Sequence, residues 1–131
     1  IVVVEGEKTR FGVGNDLLVG ALSVKRILGP AVNAFDHSER ILIECVKQPK
    51  SSLFLVSLGP AAKPIVDELA SGGYQALEVG HLDLEYEHFL RRADKLITIP
   101  GKWTNETETT FQEWDKDMSK YESEIIYKVQ C

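Results

Sequence analysis

The chain is 131 residues long, 44% apolar, and carries 15 basic against 20 acidic residues for a net charge of −5. That length supports one domain with a real hydrophobic core. The acidic balance excludes a nucleic-acid binder, which needs a basic face, and no apolar run approaches the roughly 20 residues that span a bilayer.

The opening residues do not read as a signal peptide. The chain lacks an initiating Met and opens directly on "IVVV", residues 1–4. A continuous β-branched run of this kind predicts a strand buried on both faces. The abrupt opening predicts further sequence, and further sheet, ahead of residue 1. The two cysteines, Cys45 and Cys131, have no CxxC spacing. Cys45 falls on an apolar helical face, as a core residue would. A reduced, cytoplasmic chain is the simplest reading.

A glycine-punctuated loop, "EGEKTRFGVGND", follows the first strand. The pattern predicts a short helix over 16–22 and a strand "VKRIL" over 24–28. Asp36 to Glu39 has the form of a capping box and opens a helix to about Lys47. "SLFLVSLG" (52–59) reads as another buried strand. "PAAKPIVDELASGG" reads as a helix, with prolines in its first turn and glycine at its end. "QALEVG" (75–80) predicts a strand, "LEYEHFLRRA" (84–93) a helix, and "KLITI" (95–99) a last strand. Strands alternating with helices specify an α/β fold, a mostly parallel sheet with helices on both faces. We expect a Rossmann-like core over 1–99 and a C-terminal extension over 100–131. In the extension, Phe111, Trp114, Met118 and Tyr121 fit one helical face over 106–121, and "EIIYKV" can add an edge strand.

In such sheets ligands bind outside the carboxyl ends of the strands. Three informative loops fall there. In the first, Gly6, Gly12 and Gly14 permit close backbone approach to a ligand. Arg10 can grip a phosphate in bidentate fashion, and Asn15 or Asp16 can cap a helix or hold a ribose or metal. The loop is neither G-x-G-x-x-G nor a P-loop, so an ordinary βα turn remains open. The second, Gly59-Pro60-Ala61, places a helix start where an anion is favoured. The third is "GHLDLEYEH". Asp83 and Glu85 can share a hard cation, Mn²⁺ or Mg²⁺, only if residues 81–85 are extended or turning, because two residues apart in a helix point about 200° apart. Otherwise they are merely favourable acids at a helix start. His81 and His88 lack the HExxH spacing of zinc sites. Lys102, Trp103 and Asn105 form a further candidate contact loop.

Taken together, "VEGEKTRFGVGNDL", "LGPAAK", "GYQALEVGHLDLEYE" and "PGKWTNE" resemble the GT-D-type bacterial glycosyltransferases. That domain, formerly one of unknown function, occurs in gene clusters that glycosylate serine-rich adhesins and build surface polysaccharides. The resemblance runs from about residue 3 to residue 108 and covers the C-terminal half of the family's domain. It implies a Rossmann-like sheet binding a nucleotide-sugar, typically a UDP-sugar, and a D-x-E motif engaging a divalent cation. The matching residues are Asp83 and Glu85, read as catalytic and metal-binding. Gly6, Arg10, Gly12, Gly14, Asn15, Asp16, Gly59, Pro60, Ala61, His81 and Lys102 are the expected donor contacts. The expected acceptor is a glycan or glycoprotein. A base is needed only if the reaction inverts configuration, and Glu5, Glu7 and His81 are candidates. The rival readings are a non-catalytic nucleotide- or partner-binding α/β module and, less well matched, a metal-dependent phosphohydrolase.

Overall fold

The computed structural model describes residues 1–103, 112–114 and 116–130. Five strands form one sheet in the order β4-β3-β1-β2-β5. They are β1 (Val2–Gly6), β2 (Lys25–Gly29), β3 (Leu53–Ser57), β4 (Gln75–Glu78) and β5 (Ile125–Lys128). Every pairing is parallel, with Val4 opposite Ile27 on one side and Val56 on the other. The β-branched run explains the central place of β1. All its residues are buried, as a strand needs when both neighbours and both faces are covered.

Alternate side chains sort to the two faces. Val2, Val4, Ile27, Phe54 and Val56 join the larger core with helices α1 (Ser38–Cys45) and α2 (Ala62–Ser71). Ile41 and Cys45 of α1, and Ala62, Ile65 and Leu69 of α2, are the inward stripes. Burial pushes the Cys45 thiol up to about 12, so it behaves as an apolar core group. Tyr74 packs edge-on against Phe54, and its hydroxyl donates to the carbonyls of Val46 and Gln48 beyond the end of α1. On the opposite face Val3 and Leu55 meet Phe11, with Leu17 and Leu18 alongside. That cover comes from the long loop of residues 7–24. Helix α3 (Leu82–Leu90) turns its buried residues, Asp83 and Glu87, towards Gly12 and Asn15 of the loop.

Several expected elements differ. Residues 16–22 form turns rather than a helix. The capping box at Asp36 is absent, because a 3₁₀ turn over Ala34–His37 precedes α1 and His37 makes no side-chain cap. Residues 95–99 are not a strand. The fifth strand is β5, held in parallel to β2 after a six-residue helix α4 (Ser119–Glu124). A helix through the whole of 106–121 is not formed, since residues 112–114 and 116–118 are irregular. Phe111, Asn105 and Cys131 lie outside the described residues. No described helix is long and apolar enough to cross a membrane.

The helix after β4 starts at Leu82, two residues earlier than the pattern predicts. That small difference governs the site.

Candidate functional site

The chain runs from β1 to β2 on one side, then crosses back to β3 on the other. The strand order therefore reverses between β1 and β3, which opens a crevice above their carboxyl ends. A cleft of about 460 Å³ lies there, within the usual range for a small-molecule site. Gly6, Thr9 and Phe11 line it beyond β1. Pro30 to Phe35 do so beyond β2, Ser57 to Pro60 beyond β3, and Gly80, His81, Asp83 and Leu84 beyond β4, with Trp103 adding a further wall. The Ser57 hydroxyl donates to the Gly80 carbonyl at 2.9 Å and ties the ends of β3 and β4 together.

Asp83 alone carries a formal charge among these lining residues. It is 2% exposed. Its Oδ1 accepts the Gly12 N–H and the Asn15 amide, each at 2.9 Å. Its Oδ2 accepts the Lys102 ammonium at 2.5 Å, with Lys102 itself buried. The Asn15 amide also reaches Glu87 at 2.9 Å, and Glu87 lies 3.8 Å from Lys102. One cluster thus joins the loop after β1, helix α3 and the segment after it.

Glu85 is different. It is exposed, and residues 82–90 are helical. The extended or turning backbone required for Asp83 and Glu85 to share a cation is absent. On the helix Asp83 pairs with Glu87, four residues on, and both face inward. Glu85 stands four residues after the N-cap His81 but, unlike His81 and Leu84, is not among the cleft-lining residues. No trio of His, Cys, Asp or Glu able to hold a metal occurs among the described residues. A cation held jointly by Asp83 and Glu85 does not fit this arrangement. Glu85 is exposed and lies outside the cleft lining, so a cation at it alone would need its remaining ligands from donor oxygens and water.

The other expected residues divide. Gly6, Gly59, Pro60 and His81 line the cleft. Gly12, Asn15 and Lys102 serve Asp83 instead. Arg10 does not reach the cleft lining, because its Nη1 donates to the Gly101 carbonyl and to Glu113 at 2.5 Å. Gly14 needs its positive φ of 82°, and a Cβ there would sit 2.5 Å from the Trp114 ring. It supports the tail rather than a ligand. Asp16 accepts the Tyr86 hydroxyl. Ala61 is buried under the cleft floor. The helix start there offers few donors to an anion, because Pro60 has no N–H and the Ala61 N–H is bonded to Leu58. His88 is structural, with Nδ1 on the Leu84 carbonyl and Nε2 accepting the Ile97 N–H.

Two of the candidate bases are also tied up. Glu7 pairs with Lys128 at 2.7 Å. Glu5 is fully buried, 2.7 Å from Arg26, and accepts the Phe11 N–H at 2.6 Å. Burial raises its carboxyl above the ordinary value, against the opposing pull of Arg26 and the Phe11 N–H. Arg26 also meets Glu124 at 3.0 Å and lies over the Tyr121 ring. Sequence reasoning missed this network. Its signal was a charge of each sign inside two otherwise apolar strands.

A parallel α/β sheet with a cleft at its strand-order reversal defines a Rossmann-like architecture. Comparison with known proteins narrows the class. The family described as "Glycosyltransferase GT-D fold" matches residues 1–107, and the chain belongs to it. It is 40% identical over 126 residues to the "Probable glycosyl transferase Gly" of Streptococcus gordonii, covering 96% of this chain and 18% of that protein. Against the "Glycosyltransferase GlyD" of Streptococcus pneumoniae serotype 4 it is 36% identical, covering 98% of this chain and 16% of that protein. A solved structure described as a highly conserved domain of unknown function 1792 with a distinct glycosyltransferase fold superposes with a TM-score of 0.91 at 38% identity. A glycosyltransferase of the same domain type from Streptococcus sanguinis gives 0.90. The chain spans 47% and 48% of those two structures.

Proposed function

We propose that this chain forms the donor-binding part of a glycosyltransferase that takes a sugar from a nucleotide-diphospho-sugar, a UDP-sugar in the first instance, and passes it to a glycan or glycoprotein. The observation that carries the proposal is the cleft at the strand-order reversal in a chain of the GT-D family. We place the reaction in the cytoplasm, in keeping with two cysteines that are far apart and have no CxxC spacing.

The roles of the residues follow from their positions. The cleft walls exclude water and orient the donor. Asp83 is a positioning residue: through Lys102, Asn15 and Gly12 it fixes the start of α3. His81, exposed at the cleft lip, is the group best placed to take a proton from an acceptor hydroxyl. Glu85, one turn further along the same helix side, is the ligand for a divalent cation, Mn²⁺ or Mg²⁺. Such a cation supplies positive charge to a departing diphosphate.

The test is calorimetric titration of UDP-sugars into the full-length protein, with and without Mn²⁺, for the wild type and Glu85→Gln. The variant should fold normally and lose the Mn²⁺-dependent part of donor affinity. Equal affinities in the two proteins would refute the cation role. No binding of any nucleotide-sugar by the wild type would leave the non-catalytic module as the better reading.

A further inference from the structure

We propose that the wall formed by Pro30 to Phe35 is the nucleobase subsite of this cleft, with Phe35 stacking on the base and Asn33 hydrogen-bonding its edge. The inference rests on the nucleotide-sugar reading and deepens it.

The two ends of the cleft differ in chemistry. The end beyond β3 and β4 is polar, with Ser57, His81 and Asp83. The end beyond β2 is apolar apart from one amide. β2 and β4 are separated by β1 and β3. Three inter-strand spacings make roughly 14 Å, comparable with the length of an extended nucleoside diphosphate. A flat, weakly polar ring belongs at the apolar end, which leaves the polar end for the rest of the donor.

Two independent observations mark the residues. The 3₁₀ turn packs Ala34 against the core, while Phe35 remains 60% exposed on the cleft wall. An aromatic face left uncovered beside a cleft is a stacking platform for a base. Asn33 precedes that turn in the left-handed region, at φ 59° and ψ 34°, and its side chain does not cap the turn. Asparagine at a helix start ordinarily does so. Asn33 lines the cleft, and its uncapped amide has both a donor and an acceptor to offer.

The experiment titrates UDP and inorganic pyrophosphate, in Mn²⁺, into the full-length protein and its Phe35→Ala, Phe35→Tyr and Asn33→Gly variants. Phe35→Ala should weaken UDP about tenfold or more and leave pyrophosphate unchanged. Phe35→Tyr, which keeps the ring, should bind UDP as the wild type does. Asn33→Gly relieves the left-handed backbone, so its melting temperature should hold or rise while UDP affinity falls. A purely structural Asn33 would give no loss of binding. Unchanged UDP affinity in Phe35→Ala, or an equal loss for UDP and pyrophosphate, overturns the subsite and leaves the glycosyltransferase reading standing. A wild type that binds no UDP takes down both.

Discussion

Asp83 looks from its sequence context like a metal ligand, yet both its oxygens are engaged within the protein. The consequence is a prediction about Lys102. Its ammonium is 1% exposed and bonds Asp83 at 2.5 Å. Removing one partner of a buried ion pair leaves the other uncompensated and costs about 3–5 kcal/mol. Lys102→Met should therefore lower unfolding free energy by that amount in urea titration. Adding Asp83→Asn should recover part of it, because the stranded charge is gone. Glu85→Gln is the contrasting change. Its carboxylate is exposed, so stability should stay within about 0.5 kcal/mol. A Lys102→Met protein of normal stability but weakened donor binding would place the ammonium on the ligand instead.

Among the elements, the sheet was largely legible, and the helix that carries the site was legible except for where it starts. β1 to β4 announce themselves as short apolar runs between Gly and Pro. α3 is harder, because His81, Asp83, Glu85 and Glu87 alternate with apolar residues and satisfy a period of 2. The same residues satisfy helical spacing as the pairs 81/85 and 83/87. Over so few positions the two periods cannot be separated. The decision comes from Asn15 and Lys102, 68 and 19 residues away from Asp83, and no local pattern contains them. β5 is the edge strand that "EIIYKV" offered, though no local pattern fixes its place beside β2. Arg26 of β2 reaches Glu124 at the end of α4, just before β5. That helix makes two predictions. The Tyr121 hydroxyl is buried with no hydrogen-bond partner among the described residues. Tyr121→Phe keeps the ring under Arg26 and removes an unsatisfied group, so it should raise stability by about 1 kcal/mol. A comparable loss would reveal a partner. The second concerns acid. Hydrogen bonds from the Ser119 hydroxyl and then its N–H hold the Asp117 carboxyl below its usual 3.8. A lowered carboxyl contributes stability that is complete above the ordinary value and lost as pH falls through the lowered one. Amide exchange in α4 should therefore accelerate below about pH 3.8 in the wild type, and Asp117→Ala should flatten that dependence.

Charge and apolar surface pull the whole molecule in opposite directions. The net charge of −5 keeps copies apart at neutral pH. Against it stands the outer side of α3, where Leu82, Phe89 and Leu90 are all about half exposed or more, with Tyr86 stacked on Phe89 and Leu96 nearby. Positions 82, 86, 89 and 90 share one helical side, so this is a contiguous patch rather than scattered exposure, and such patches mark contact surfaces. At about 100° per residue it centres roughly a quarter turn from Asp83 and Glu87, which point into the polar cluster. Changes on it should thus leave the cleft intact. The repulsion vanishes near the isoelectric point of about 5.2, while the apolar attraction does not depend on pH. The 131-residue chain should therefore associate more strongly as pH falls from 8 towards 5.2, as read by sedimentation equilibrium. Phe89→Glu places a charge in the middle of the patch and should keep the chain monomeric at neutral pH without lowering its melting temperature. Association that persists in Phe89→Glu would move the contact to another face. Association that strengthens on moving away from pH 5.2 would show that charge, not the apolar side of α3, drives it.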